Sequence, residues 1–316
     1  MAENIIREPL SFTSADGETT IHGYIWRDQE NSAPKGIVQI AHGMAEHIER
    51  YDGFANLLVE HGYVVCGHNH LGHGSSVSSK DKWGCLPAKE GKAILIADVN
   101  RVRQLVAPQF PEGTPYFLFG HSLGSYIARA YITRHGEGLA GAIICGTGHV
   151  APATSNAGNK IASIICSIKG KDYRSKFLDN MGVGAYAKAI EDKQTDLDWL
   201  SFNADNVKTY IADEACGFMF SAGGYATVTS LTAEVCTPAS AARIPRKLPL
   251  LYIAGDHDPV GSNGEGVKAA AKLATDAGVE DVNVIIYEHM RHEILNETDA
   301  GRVHADVLSW LDAHLS

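Results

Sequence analysis

Ser122 stands between two glycines in the run Gly120-His121-Ser122-Leu123-Gly124, with an apolar stretch, Tyr116 to Phe119, before it and helical spacing after it. A serine hydroxyl attacks a carbonyl only with help, from a base that takes its proton and an acid that orients the base. Both are offered later in the chain, in the order serine, aspartate, histidine. The segment LYIAGDHDPVG (251–261) supplies Asp256 directly after an apolar run and Asp258 two residues on. The segment VIIYEHMRHEIL (284–295) supplies His289 and His292. His292 is favoured as the base because it lies several residues past the strand, on a loop that can carry an imidazole over the sheet edge. Asp256 is favoured as the acid because it follows its strand immediately, whereas Asp258 precedes Pro259 and reads as a turn former. Acyl transfer also needs two amides aimed at the developing oxyanion. Leu123, after the nucleophile, gives one; the loop after GIVQIAHG (36–43) points to Met44 for the other.

These groups work only if a scaffold brings them together. The opening residues alternate polar and apolar around Asp16-Gly17, as a β-hairpin does. Short apolar runs at 35–43, 63–70, 115–120, 140–148, 248–261 and 282–293 then alternate with helical patterns at 50–62, 88–107, 123–135, 264–277 and 299–314. Nearly continuous apolar strands alternating with helices imply an α/β domain whose mostly parallel sheet is covered on both faces. In such a sheet the carboxyl ends of the strands form the ligand edge, and a G-x-S-x-G turn between strand and helix holds its serine there. The alternation lapses between about 150 and 240, where aromatic, helix-rich stretches stand between proline-bearing segments. The expected organisation is a core over 1–150, a helical cap over 151–240, and the rest of the core over 241–316. Within the cap, Ile161, Ile164, Ile165, Phe218, Met219 and Phe220 are placed to line an acyl tunnel or to pack the cap on the core, and Phe218 and Phe220 are the expected substrate contacts.

Composition narrows the partners. The chain has 316 residues, 45% hydrophobic, and a formal net charge of −10, which disfavours nucleic acid because phosphate recognition wants a basic face. No run approaches the roughly 18 apolar residues of a transmembrane helix. The start, MAENIIREPLSF, has acidic residues and no signal-type apolar run, so the expected location is cytoplasmic. The 6 cysteines are scattered without a C-x-x-C pair, which argues against a disulfide framework or a cysteine metal site.

The segments IAHGMAEHIERYDGFA, HNHLGHGSS, FGHSLGS, IAGDHDPVG and YEHMRHEILNE together resemble the monoacylglycerol lipase and lysophospholipase-like branch of the α/β-hydrolase superfamily. The resemblance runs from about residue 10 to the end and is weakest over the cap. It implies the α/β-hydrolase fold, Ser122 as nucleophile with Asp256 and His292, and the amides of Met44 and Leu123 as oxyanion hole. It also suggests that Glu46 and Arg50 shape a polar pocket near the alcohol part of an ester, or form a buried ion pair that fixes the loop. His68, His70 and His73 have the density of a zinc site, yet the family's G-H-G-x-S loop accounts for them, and neither metal nor cofactor is expected. Ala45 stands where such lipases often have glycine, and Asn69 where aspartate is common. The expected substrate is an ester of a lipophilic acyl chain, with transient contact between the cap and a membrane surface. A proline iminopeptidase-type serine aminopeptidase and a non-catalytic ligand receptor of the same fold are the competing readings.

Overall fold

A computed structural model describes residues 4–315. The first two strands, β1 (Ile5–Thr13) and β2 (Thr20–Asp28), form the hairpin, with Asp16 Oδ1 accepting the amides of Glu18 and Thr19 and Gly17 at φ 81°. After them come β3 (Ile37–Ala41), α1 (Asp52–Glu60), β4 (Val64–His68), α2 (Gly91–Val106), β5 (Tyr116–His121), α3 (Leu123–His135) and β6 (Gly141–Cys145). Six helices follow before the next strand: α4 (Pro152–Lys169), α5 (Lys176–Met181), α6 (Val183–Lys188), α7 (Ala204–Ala212), α8 (Ala222–Val235) and α9 (Pro238–Ala241). The chain then returns through β7 (Leu250–Gly255), α10 (Glu265–Asp276), β8 (Val282–Tyr287) and α11 (Ala300–Ala313).

The strands form one eight-stranded sheet in the order β1-β2-β4-β3-β5-β6-β7-β8. The β1–β2 and β2–β4 pairs are antiparallel, and every pair from β4 to β8 is parallel. Side-chain alternation explains the two covering layers. Along β5, Tyr116 and Leu118 pack with α2, α3, α8 and α10, while Phe117 and Phe119 pack with α1 and α11. The central strands therefore carry apolar residues at successive positions, because both faces are dry. All five segments singled out above end at the same carboxyl edge.

Candidate active site

The turn at Ser122 is built by exclusion of side chains. A Cβ at Gly124 would overlap the carbonyl of Ala41, and one at Gly120 would overlap the carbonyl of Gly124. With both absent, α3 starts directly against β3 and β5, and Ser122 is forced to φ 54°, ψ −118°. Non-glycine residues reach such a conformation only when their surroundings impose it. Here the Ser122 amide is tied to Cys145 O at 3.0 Å, and the hydroxyl is left facing a cavity of about 500 Å³.

His292 lines the same cavity. Its Nδ1 lies 2.9 Å from Asp258 Oδ2, and both side chains are buried. The expectation for Asp256 is thus corrected: the carboxylate on His292 belongs to Asp258. Asp256 still belongs to the sheet edge, its amide donating to Tyr287 O at 2.9 Å, and its Oδ1 is held by His257 Nδ1 at 2.6 Å and the Met290 amide. The turn signal at Asp258 was real but incomplete. One oxygen caps the turn by accepting the Val260 amide at 2.9 Å, which leaves the other for the imidazole. His289 is exposed, at φ 58°, and stacks on His257 rather than turning inward.

An ionised carboxylate can only accept, so His292 carries its proton on Nδ1 when neutral and presents the Nε2 lone pair. That Nε2 is buried and makes no hydrogen bond within the described residues. Burial lowers the proton affinity of His292, but the charge and hydrogen bond of Asp258 outweigh it and raise its pKa above the ordinary histidine value. His121, 4.7 Å away ring to ring, has no such partner, and burial followed by its histidine neighbour brings it down to about 4.

The loop after β3 is equally determined. Glu46 Oε1 accepts the Gly43 amide at 2.5 Å and the Tyr51 hydroxyl at 2.9 Å. Neither the Met44 nor the Leu123 amide donates a hydrogen bond within the described residues, and both residues line the cavity beside Ser122. Ala45 takes φ 54°, which is the physical reason glycine suits this position. Its carbonyl is fixed by the Tyr210 hydroxyl at 2.7 Å and the Gly217 amide at 2.9 Å. Asn69 accepts the Ile48 amide at 2.8 Å while its Nδ2 faces Glu49. An aspartate here would set like charges against each other; the amide gives Glu49 a donor instead.

Glu46 and Arg50 are joined by an unforeseen third member, Glu293. Arg50 reaches Glu46 Oε2 at 2.6 Å and both oxygens of Glu293 at 2.6 and 2.7 Å, with its guanidinium over the Tyr210 ring. Arg50 holds the Glu293 carboxyl down at about 2 against the upward push of burial. Glu46 and Glu293 line the cavity; Arg50 lies behind them. The sequence pointed to Glu46 and Arg50, whereas the only signal for Glu293 was its place next to His292.

The helical segment supplies the other wall. Phe218 and Met219 line the cavity, whereas Phe220 is fully buried and stacks behind Phe218 at 6.0 Å, so the expectation for Phe220 is corrected. Ile161, Ile164 and Ile165 are not in the wall, and Ile164 is exposed. Sequence reasoning missed Trp199, whose ring lies 5.1 Å from that of His292, and Tyr186, which packs on Trp199.

Under the loop lie His42, His68, His70 and His73, all fully buried. The His70 amide donates to His42 Nε2 at 3.0 Å, so the His42 Nδ1–H donates to Gly43 O at 2.8 Å. With no carboxylate in contact, burial drives all four below the ordinary histidine value, His68 to about 3 and His73 to about 4. They form a neutral floor. The three histidines of HNHLGH do not form a metal cluster among the described residues.

Comparison with known proteins gives the family and the fold. A model of the family described as serine aminopeptidase, S33, matches residues 32–299. A monoacylglycerol lipase from Mycolicibacterium smegmatis is 27% identical over 313 residues, covering 98% of each chain. The structure of a thermostable carboxyl esterase from Bacillus coagulans, in complex with glycerol, superposes with a TM-score of 0.90 at 31% identity, over 98% of this chain and 99% of that one. A proline iminopeptidase from Mycobacterium smegmatis shares the fold, with a TM-score of 0.58 at 16% identity over 97% of this chain and 99% of that one. The chain therefore belongs to the serine aminopeptidase, S33, family, in the monoacylglycerol lipase-like branch of the α/β-hydrolases.

Proposed function

We propose that the protein is a serine hydrolase that cleaves carboxylic esters of lipophilic acyl chains through Ser122, His292 and Asp258. The observation that carries this reading is the pairing of His292 Nδ1 with the buried Asp258 at 2.9 Å, which leaves Nε2 as a base in the cavity that Ser122 faces. Nε2 takes the Ser122 proton as the hydroxyl attacks the acyl carbonyl, and Asp258 stabilises the imidazolium that forms. The amides of Met44 and Leu123 receive the oxyanion, the latter aided by the positive end of α3. His292 then protonates the leaving alcohol, and water repeats the sequence on the acyl-enzyme. The chemistry draws on no cofactor.

The walls support a lipophilic acyl group. Val183, Tyr186, Trp199, Leu200, Phe218 and Val228 give the cavity an apolar side, and about 500 Å³ lies within the range of small-molecule sites. Polar groups gather at Glu46 and Glu293, which suits a small polar alcohol. We assign residues 151–240 to a cap, with α8 packed on α2 and α3 of the core. No described helix is long and apolar enough to cross a membrane. Exposed Ile164, Ile168, Phe177 and Met181 on α4 and α5 favour transient contact of the cap with a lipid surface.

An aminopeptidase would need free carboxylates to hold a substrate ammonium. Of the four carboxylates in the acidic stretch 191–198, only Asp196 lines the cavity, and it pairs with Lys193 at 2.7 Å. The test is a C2 to C18 series of monoacylglycerols and lysophosphatidylcholines, run beside amino-acid β-naphthylamides and a fluorophosphonate probe. Turnover of medium or long acyl esters, with labelling abolished in Ser122→Ala, is expected. Preference for C4 or shorter would overturn the lipid reading, preference for the amides would favour the peptidase, and absence of labelling in folded protein would favour a ligand receptor.

A further inference from the structure

Away from the cavity, the loop that carries Met44 meets the segment that carries Phe218. His47 stands there between two carboxylates, its Nδ1 2.9 Å from Glu49 Oε2 and its Nε2 2.8 Å from Asp213 Oδ2. The half-buried thiol of Cys216 closes a triangle, and the donor atoms of His47, Asp213 and Cys216 all lie within 4.8 Å of one another. A tetrahedral zinc ion with bonds of about 2.0–2.3 Å sets its ligand atoms roughly 3.3–3.8 Å apart. Small side-chain movements suffice to reach that spacing. The turn is already prepared: Asp213 Oδ1 accepts the Ala215 amide at 2.8 Å, which reserves Oδ2 for a ligand. Glu49 on the far ring nitrogen fixes the imidazole, as a carboxylate behind a metal-bound histidine does.

We propose that His47, Asp213 and Cys216 form a binding site for a zinc-class divalent cation, oriented by Glu49, with the fourth position open to water. Binding displaces the proton shared between His47 Nε2 and Asp213, together with the thiol proton of Cys216, and both pass to solvent. None of the three ligands lines the Ser122 cavity, so the ion is no part of the reaction. It is a strap. Hydrogen bonds from Gly217 and Tyr210 to the Ala45 carbonyl already join these segments, and the ion replaces the His47–Asp213 hydrogen bond with coordinate bonds that fasten residues 213–217 to the loop 44–47.

The test uses full-length, tag-free protein stripped with a chelator and titrated with Co²⁺. One Co²⁺ per chain is expected, with the strong visible absorption of a tetrahedral site and a near-ultraviolet thiolate-to-cobalt band, both lost on adding Zn²⁺. Cys216→Ser should abolish the thiolate band, and Glu49→Gln should weaken Co²⁺ binding about 10–100-fold. Cys85→Ser, on another loop, should leave the spectrum unchanged. Folded protein without a cobalt spectrum in excess metal, or a thiolate band that survives in Cys216→Ser, would overturn the site. None of these readouts involves hydrolysis, so the site stands or falls independently of the proposed function.

Discussion

Two groups of buried histidines lie within the same sheet edge and behave oppositely. His292 and the floor formed by His42, His68, His70 and His73 are equally shielded from water. Only His292 touches a carboxylate, and its proton affinity rises; the floor histidines touch one another and main-chain carbonyls, and theirs falls. Burial alone thus makes a histidine inert at neutral pH, and a single buried acid turns one into a base.

The sharpest way to break the contrast is to take that acid away. Asp258→Asn should lower kcat on p-nitrophenyl esters about 10⁴-fold, the usual cost of losing the orienting aspartate. Asp256→Asn should change it less than about threefold. Reversal of that order would return the acid to Asp256.

The next largest effect falls on the anchor that keeps two further carboxylates near these histidines. Arg50→Met strands Glu46 and Glu293 without their cation, and urea unfolding should show a loss of about 3–5 kcal/mol. A loss below about 1 kcal/mol would mean that the cluster is wetter than its burial implies.

The floor itself predicts acid sensitivity. A histidine whose folded pKa is depressed leaves stability intact above its unfolded value of 6.5, and that stability drains away as pH falls towards the folded value, about 3 for His68. Unfolding measured between pH 7 and 4 should steepen below 6.5. His68→Leu should reduce the slope by up to about 1.4 kcal/mol per pH unit. An unchanged slope would remove His68 from the account.

The smallest effect sharpens the comparison at His292. Its raised pKa predicts that kcat/KM declines on the acid side from a point above 6.5, because only the neutral ring accepts the serine proton. Glu293→Gln removes one of the charges that raise it, so the acid limb should move to lower pH. Movement in the other direction would reverse the electrostatic assignment.

Much of this was legible in the sequence because it is local. The G-x-S-x-G turn, the hairpin at Asp16-Gly17 and the β/α alternation each depend on neighbours along the chain. The choice between Asp256 and Asp258 was not, since it turns on which of two carboxylates beyond one strand end reaches a ring far along the chain; Asp258 caps its turn with one oxygen and reaches the ring 34 residues away with the other. Glu293 was hidden for the same reason: its meaning lies in Arg50, 243 positions earlier. Phe218 and Phe220 alternate on one strip, and only packing decides which faces the ligand and which supports it.

Glu293, next to the proposed base, also ties the loop of His292 to the roof of the cavity. Glu293 grips Arg50 with its side chain, meets Asn206 at 2.7 Å and donates its amide to Leu200 O at 2.7 Å. The imidazole beside it therefore shares one mounting with residues 198–207 of the roof. Any displacement of that part of the roof would therefore pull on the loop that carries His292.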